Sequence, residues 1–165
     1  MEALSPPRTR ADSLLVAATI AFAFLAASFP ATNSDLWLHL ASGRHVASGE
    51  WTIGRDPFSA LTLGRYWVHH SWLFDLVAYR VFEAAGGATL VAIKAFGVAL
   101  LAGIMVRIGL QSGAPVWLAC LSTMLAILAI SPRLMVQPQC VSLLFLGMCF
   151  HLLHSGGARW VPALM

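Results

Sequence analysis

Long apolar stretches, separated by short polar turns, make up most of the chain. Gly and Pro mark the turns, as in GLQSGAP and SPRLMVQP. A helix needs roughly 20 apolar residues to cross the hydrocarbon of a bilayer, and four stretches approach that length. They are residues 13–31, 88–108, 115–131 and 139–155. The pattern predicts an all-α, polytopic membrane protein with about four transmembrane helices.

A long polar interval, residues 32–87, lies between the first and second apolar stretches. We predict that it forms one exoplasmic loop carrying two short interfacial helices. The first helix begins near residue 34 and runs to about residue 47. Its Leu36 and Leu40 lie on one apolar face, which we expect to rest on the membrane or on other helices.

The second loop helix is predicted over residues 72–85. It would be about 21 Å long at a rise of 1.5 Å per residue, which is short of a hydrocarbon core of roughly 30 Å. It also carries Asp75, Arg80 and Glu83, whose burial at the bilayer centre would be costly. We therefore expect it to lie along the interface, with an apolar face formed by Leu73, Leu76, Val77 and Val81. If it crosses instead, the chain has five spans.

Composition supports the membrane class. Hydrophobic residues make up 59% of the chain and charged residues only 10%, whereas soluble domains carry roughly a quarter charged residues. The net charge of +3 comes from scattered basic residues, so no nucleic-acid partner is expected. Arg8 and Arg10 precede the first span and predict a cytoplasmic amino terminus. Residues 1–12 would be a cytoplasmic tail and residues 13–155 the membrane domain. Residues 156–165 would begin a further segment of a longer, truncated protein.

Asp35 and His39 are the first candidates for chemistry. They are one helical turn apart, so their side chains point the same way. A carboxylate beside an imidazole at the water boundary suits a general base or a cation-binding site. The alternative is that Asp35 only favours the positive end of its helix dipole.

Further candidates lie later in the loop. Asp56 precedes a proline, which is typical of a turn, although a site role is also open. His69 and His70 come directly before the second loop helix and would join Asp35 and His39 in any metal site. Nothing in the sequence fixes the distances between these side chains, so no metal site is favoured. Tryptophans of this loop suit an interfacial belt or a sugar-binding surface; they include Trp37, Trp51, Trp67 and Trp72.

Lys94 and Arg133 are two cations close to predicted spans. Lys94 lies about two turns into the second span, where a charge usually has a reason. The Lys94 side chain either extends toward the membrane interface or belongs to a functional site. Arg133 lies between the third and fourth spans. Together they would grip a lipid-linked phosphate, because a guanidinium binds phosphate oxygens bidentately; Arg133 is equally typical of an interfacial anchor.

The order of these features resembles a known family. The segments SDLWLHLASGRHVASGEW, RDPFS and YWVHHSWL follow the first span, and an SPR turn comes later. This layout is similar to the amino-terminal part of C-type, polyprenyl-phosphate-dependent membrane glycosyltransferases, and more closely to uncharacterised bacterial multispanning proteins. The resemblance covers about residues 13–155. It implies a bacterial inner-membrane location, a catalytic Asp35 that deprotonates or orients the acceptor, and Arg133 near the donor phosphate.

One departure from the family concerns metal binding. Metal-dependent members carry an acidic pair in the second outer loop, where this chain has Gln137 and Gln139. Glutamine lacks the negative charge that divalent cations favour. We therefore expect no cofactor, with a divalent cation open but not favoured. The protein would be a metal-independent member or one that has lost catalysis.

Two functions compete on these grounds. The first is sugar transfer from a polyprenyl-phosphate donor to an exoplasmic acceptor, with Asp35 and His39 catalytic. Its substrate-binding residues would be Arg133, Lys94, His70, Asp56 and Trp67. The second is a non-catalytic scaffold or polysaccharide-assembly partner of the same architecture. The sequence lacks the paired broken helices that are expected of a transporter. It also lacks the Gly-rich loop that holds phosphates in nucleotide enzymes.

Overall fold

The computed structural model describes residues 9–30, 34–50, 54–56, 58, 61, 66 and 68–155. These residues form helices and no strand, which confirms the all-α class for this part of the chain. The helices are α1 (Arg10–Ala27), α2 (Ser34–Ala47), α3 (Trp72–Gln111), α4 (Val116–Ile130) and α5 (Pro138–His154), with a 3₁₀ turn at Ser131–Arg133.

Helix α1 begins earlier than the apolar stretch that predicts it. Thr9 and Asp12 form a capping box, in which each side chain binds the backbone N–H of the other residue. This pair satisfies two of the donors that a helix start leaves open, so the helix includes residues 10–12 of the predicted tail. It ends at Ala27, three residues before Pro30, because the position before a proline disfavours helical backbone.

Helix α3 joins the second loop helix to the second predicted span. Its one non-helical residue is Gly86, with φ 77° and ψ 176°. That backbone region is open essentially only to glycine. The helix therefore begins at Trp72 and is interrupted directly after residue 85, as the sequence predicts for the loop helix, and it continues without a connecting loop.

Within the described part of the chain, three helical segments are long and apolar enough to cross a membrane. They are Arg10–Ala27, Trp72–Gln111 and Val116–Arg133, while Pro138–His154 is a shorter apolar helix. Apolar helices of this length indicate an integral membrane protein. The number of four spans and the orientation of the amino terminus stay predictions.

The chain divides into two compact units. The first consists of Met1–Phe29 with Val91–Met165, and the second of Pro30–Leu90. In the first unit, α1 packs against α4. Small residues dominate its core. In a membrane the hydrophobic effect does not drive helices together, and small residues let them pack closely. The buried core residues are Ala23, Ala27, Ala95, Val98, Ala102, Ile127 and Leu134.

In the second unit, α2 packs against the first part of α3. A Cβ atom on Gly43 would overlap the backbone carbonyl of Asp75 and lie 2.7 Å from the Cβ atom of Tyr79. Only a glycine permits so close an approach of the two backbones. Leu36 and Leu40 are buried on the same helix, as predicted for its apolar face.

Candidate functional site

A buried carboxylate between two histidines is the most polar feature of the second unit. The Asp75 side chain is only 1% exposed. Its Oδ1 lies 2.7 Å from Nδ1 of His39, and its Oδ2 lies 2.5 Å from Nε2 of His69. The Ser71 hydroxyl donates to Oδ2 over 3.4 Å. These donors offset the cost of removing a carboxylate from water. We call His39, Asp75 and His69 the histidine–aspartate cluster.

The cluster fixes where the protons lie. An ionised carboxylate only accepts hydrogen bonds, so with Asp75 ionised the ring nitrogen that faces it carries the hydrogen. His39 therefore donates from Nδ1 and His69 donates from Nε2. In a neutral imidazole the other nitrogen then bears a lone pair, which for His39 is Nε2.

Local structure holds each member of the cluster in place. Asp75 lies in the first turn of α3, where its backbone N–H donates to the Ser71 carbonyl over 3.0 Å. His39 lies in the middle of α2, and its ring meets the Phe74 ring edge-on at 5.4 Å between centroids. Gly43 is one turn further along α2, on the same face as His39. The close approach at Gly43 brings His39 to the carboxylate.

Asp35 and His39 differ in their surroundings. Asp35 is exposed in the first turn of α2, where a negative charge complements the helix dipole. His39 is 17% exposed and is held by Asp75. Among the described residues, no group of three His, Cys, Asp or Glu side chains is arranged to hold a metal ion.

The other predicted loop residues lie apart from the cluster. His70 is exposed, and its neighbour His69 is the one that binds Asp75. Asp56 accepts the backbone N–H of Phe58 over 2.9 Å, a short-range bond that is typical of a turn-forming aspartate. Trp67, like Trp51, lies outside the described residues.

Lys94 is buried within the first unit. It is 6% exposed, and its Nζ donates to the Phe29 carbonyl over 3.4 Å. The same nitrogen lies 3.8 Å from the centroid of the Phe29 ring, a distance typical of a cation–π contact. The carbonyl lies two residues beyond the end of α1, where a cation is favourable. This placement favours a packing role for Lys94.

Arg133 is one of the residues that line an apolar groove. The residue is exposed at the end of the 3₁₀ turn. The groove measures about 400 Å³ and its lining is mostly apolar; it is formed by Ile130, Arg133, Gln139, Ser142, Leu143 and Leu146. A guanidinium, an amide and a hydroxyl thus border a slot made by aliphatic side chains. Such a combination suits a molecule with an anionic head and a hydrocarbon tail.

Comparisons of the chain with protein-family models, with curated proteins and with solved structures gave no match. The arrangement of side chains must therefore carry the functional argument.

The sequence pattern did not single out Asp75, and it gave His69 only as a possible member of a metal site with Asp35, His39 and His70. The helical pattern assigns Asp75 to the polar face of an interfacial helix, together with Tyr79 and Glu83. In the structure Asp75 is buried, whereas Leu73 and Val77 on the other face are exposed.

Proposed function

We propose that this integral membrane protein transfers a sugar from a polyprenyl-phosphate donor to an acceptor on the exoplasmic side. The sequence resemblance to C-type glycosyltransferases suggests this class of reaction. The observation that carries the proposal is the groove at Arg133, because a guanidinium beside an apolar slot suits a phosphate that carries a hydrocarbon chain. A polyprenyl phosphate joins a doubly charged or singly charged phosphate to a long hydrocarbon chain.

Each part of the groove has a role in this proposal. The Arg133 guanidinium pairs with the phosphate oxygens, where a bidentate contact is strong. Gln139 and Ser142 supply further polar contacts at the rim, and Leu143 and Leu146 contact the first isoprene units. During transfer, negative charge grows on the phosphate oxygen that leaves the sugar. A fixed guanidinium stabilises that charge in the transition state.

The residue proposed to act on the acceptor is Asp35. Asp35 is exposed at the start of α2, and there it would orient or deprotonate an acceptor hydroxyl. The buried pairing of His39 with Asp75 anchors α2 and so limits the positions that Asp35 can adopt.

The experiment measures donor binding and sugar transfer by the protein in proteoliposomes. Arg133→Gln removes the charge and is expected to weaken polyprenyl-phosphate binding about 10- to 100-fold, since a charged hydrogen bond contributes about 1.5–3 kcal/mol. Arg107→Gln is the matched control, because Arg107 is also exposed but borders a different groove with Val16 and Leu110. Equal binding by both variants, or no transfer by the wild-type protein, would contradict the proposal.

A non-catalytic scaffold is the second candidate. Two of the predicted site residues have structural partners, His39 on Asp75 and Lys94 on Phe29. A protein that had lost catalysis would keep such contacts for stability alone. Binding of the lipid-linked sugar without turnover would favour the scaffold over the enzyme.

A further inference from the structure

We propose that His39 is the general base of this protein and that Asp75 is its positioning residue. This inference rests on the proposed function, which supplies the acceptor. The proposed function does not specify which atom takes the acceptor's proton. The arrangement of His39 and Asp75 favours the imidazole of His39 over the carboxylate of Asp35.

Three observations support this assignment. The Asp75 carboxylate receives Nδ1–H of His39 over 2.7 Å and so directs the lone pair to Nε2. No residue in the described part of the chain hydrogen-bonds that Nε2 atom, and the side chain is 17% exposed. His69 is 6% exposed and binds the second carboxylate oxygen, which prevents Asp75 from turning away.

A carboxylate that fixes one imidazole nitrogen is a recurring device of acid–base catalysis. It selects the tautomer, orients the ring and stabilises the imidazolium that forms. Histidine is also the side chain that serves most often as a general base. Asp35, in contrast, lies in the first turn of its helix and is exposed to water.

The proposed step balances as follows. Nε2 of His39 takes the proton of an acceptor hydroxyl, and the oxygen forms a bond to the anomeric carbon of the donor sugar. The bond from that carbon to the phosphate oxygen breaks, and its electron pair stays on the phosphate. The proton then leaves the imidazolium for water.

The test compares variants that keep or remove Nε2. In His39→Asn the amide nitrogen takes the place of Nδ1 and keeps the bond to Asp75, but no base remains. We expect transfer to fall about 10²- to 10⁴-fold, the usual contribution of a general base, with donor binding unchanged. His45→Asn is the control, since His45 is on the same helix and pairs with Glu50 at 3.5 Å.

Asp75→Asn tests the positioning role. Its amide group can donate to Nδ1 of His39, which moves the ring hydrogen to Nε2 and blocks the base. ¹⁵N NMR of labelled histidine, with His39→Asn to assign the signal, reports this tautomer directly. We expect a protonated Nδ1 in the wild-type protein, and in Asp75→Asn a protonated Nε2 together with a loss of transfer; a purely structural role for Asp75 would leave transfer unchanged in the folded variant.

The outcomes separate this inference from the proposed function. If Asp35→Asn abolishes transfer and His39→Asn does not, the inference is wrong while the function stands. If the wild-type protein transfers no sugar, the proposed function fails. The NMR experiment then still shows whether Nε2 of His39 is free of hydrogen, which the inference requires. A protonated Nε2 in the wild-type protein would overturn the inference in either case.

Discussion

Asp75 shows how a single buried acid can organise the part of the chain around it. Its carboxylate accepts from His39, His69 and Ser71, and none of these partners is permanently charged. Hydrogen bonds to a charged group contribute about 1.5–3 kcal/mol each, and leaving the group unsatisfied costs more. The cluster therefore ties α2 to the start of α3 and to the residues just before it.

Gly43 is the residue that allows this contact. We expect Gly43→Ala to lower the free energy of unfolding by about 1–3 kcal/mol, because overpacking forces the helices apart. The same change should alter the ¹⁵N signal of His39. Unfolding of the detergent-solubilised protein by denaturant measures the first effect.

Gly97→Ala is the control for that substitution. Gly97 is also helical, but a Cβ atom there meets nothing within 4 Å. We expect it to be neutral or to stabilise the protein by up to about 1 kcal/mol, since alanine favours helix. Equal losses from both substitutions would show that the close approach at Gly43 is unimportant.

At the scale of elements, the sequence predicts the helices better than it predicts the site. The long apolar stretches predict where the membrane helices lie, because a helix that crosses lipid must consist mainly of apolar residues. The start of a helix differs from the predicted start where a side-chain cap determines it. Thr9 and Asp12 form such a cap for α1. The histidine–aspartate cluster could not be predicted, because it depends on how closely two helices approach across an interval of 36 residues.

The break in α3 depends on one glycine. Gly86 has φ 77° and a Cβ atom there would meet nothing within 4 Å, so any effect of a substitution comes from the backbone. We expect Gly86→Ala to cost about 1–3 kcal/mol of stability, the usual price of a non-glycine residue in such a region. Thermal unfolding in detergent measures the loss.

Gly87→Ala is the matched control for the break. Its added Cβ atom would make an ordinary contact of 3.6 Å with the Phe82 ring. We expect it to leave stability unchanged or to raise it slightly. If Gly86→Ala is as well tolerated as Gly87→Ala, then the interruption of the helix is not a fixed feature of the protein.

At the scale of the whole molecule, the path of residues 72–85 decides how many times the chain crosses the membrane. Their exposed apolar residues, such as Leu73 and Val77, suit contact with lipid. They join the second predicted span with no linker beyond Gly86 and Gly87. We therefore retain the prediction that this segment lies along the interface and that the protein crosses the membrane four times.

The most direct measurement is the labelling of single cysteines from each side of the membrane. The native Cys120, Cys140 and Cys149 are replaced by serine, and Arg55→Cys, Gln111→Cys and Arg133→Cys are introduced one at a time. All three introduced sites are exposed positions of the described chain. The reagent is a maleimide that does not cross the membrane.

With four spans, cysteines at positions 55 and 133 react from the exoplasmic side, and a cysteine at position 111 reacts only from the cytoplasmic side. If residues 72–85 cross the bilayer, position 55 reacts from the same side as position 111 and from the opposite side to position 133. That result would separate the histidine–aspartate cluster from the Arg133 groove and contradict the proposed transferase.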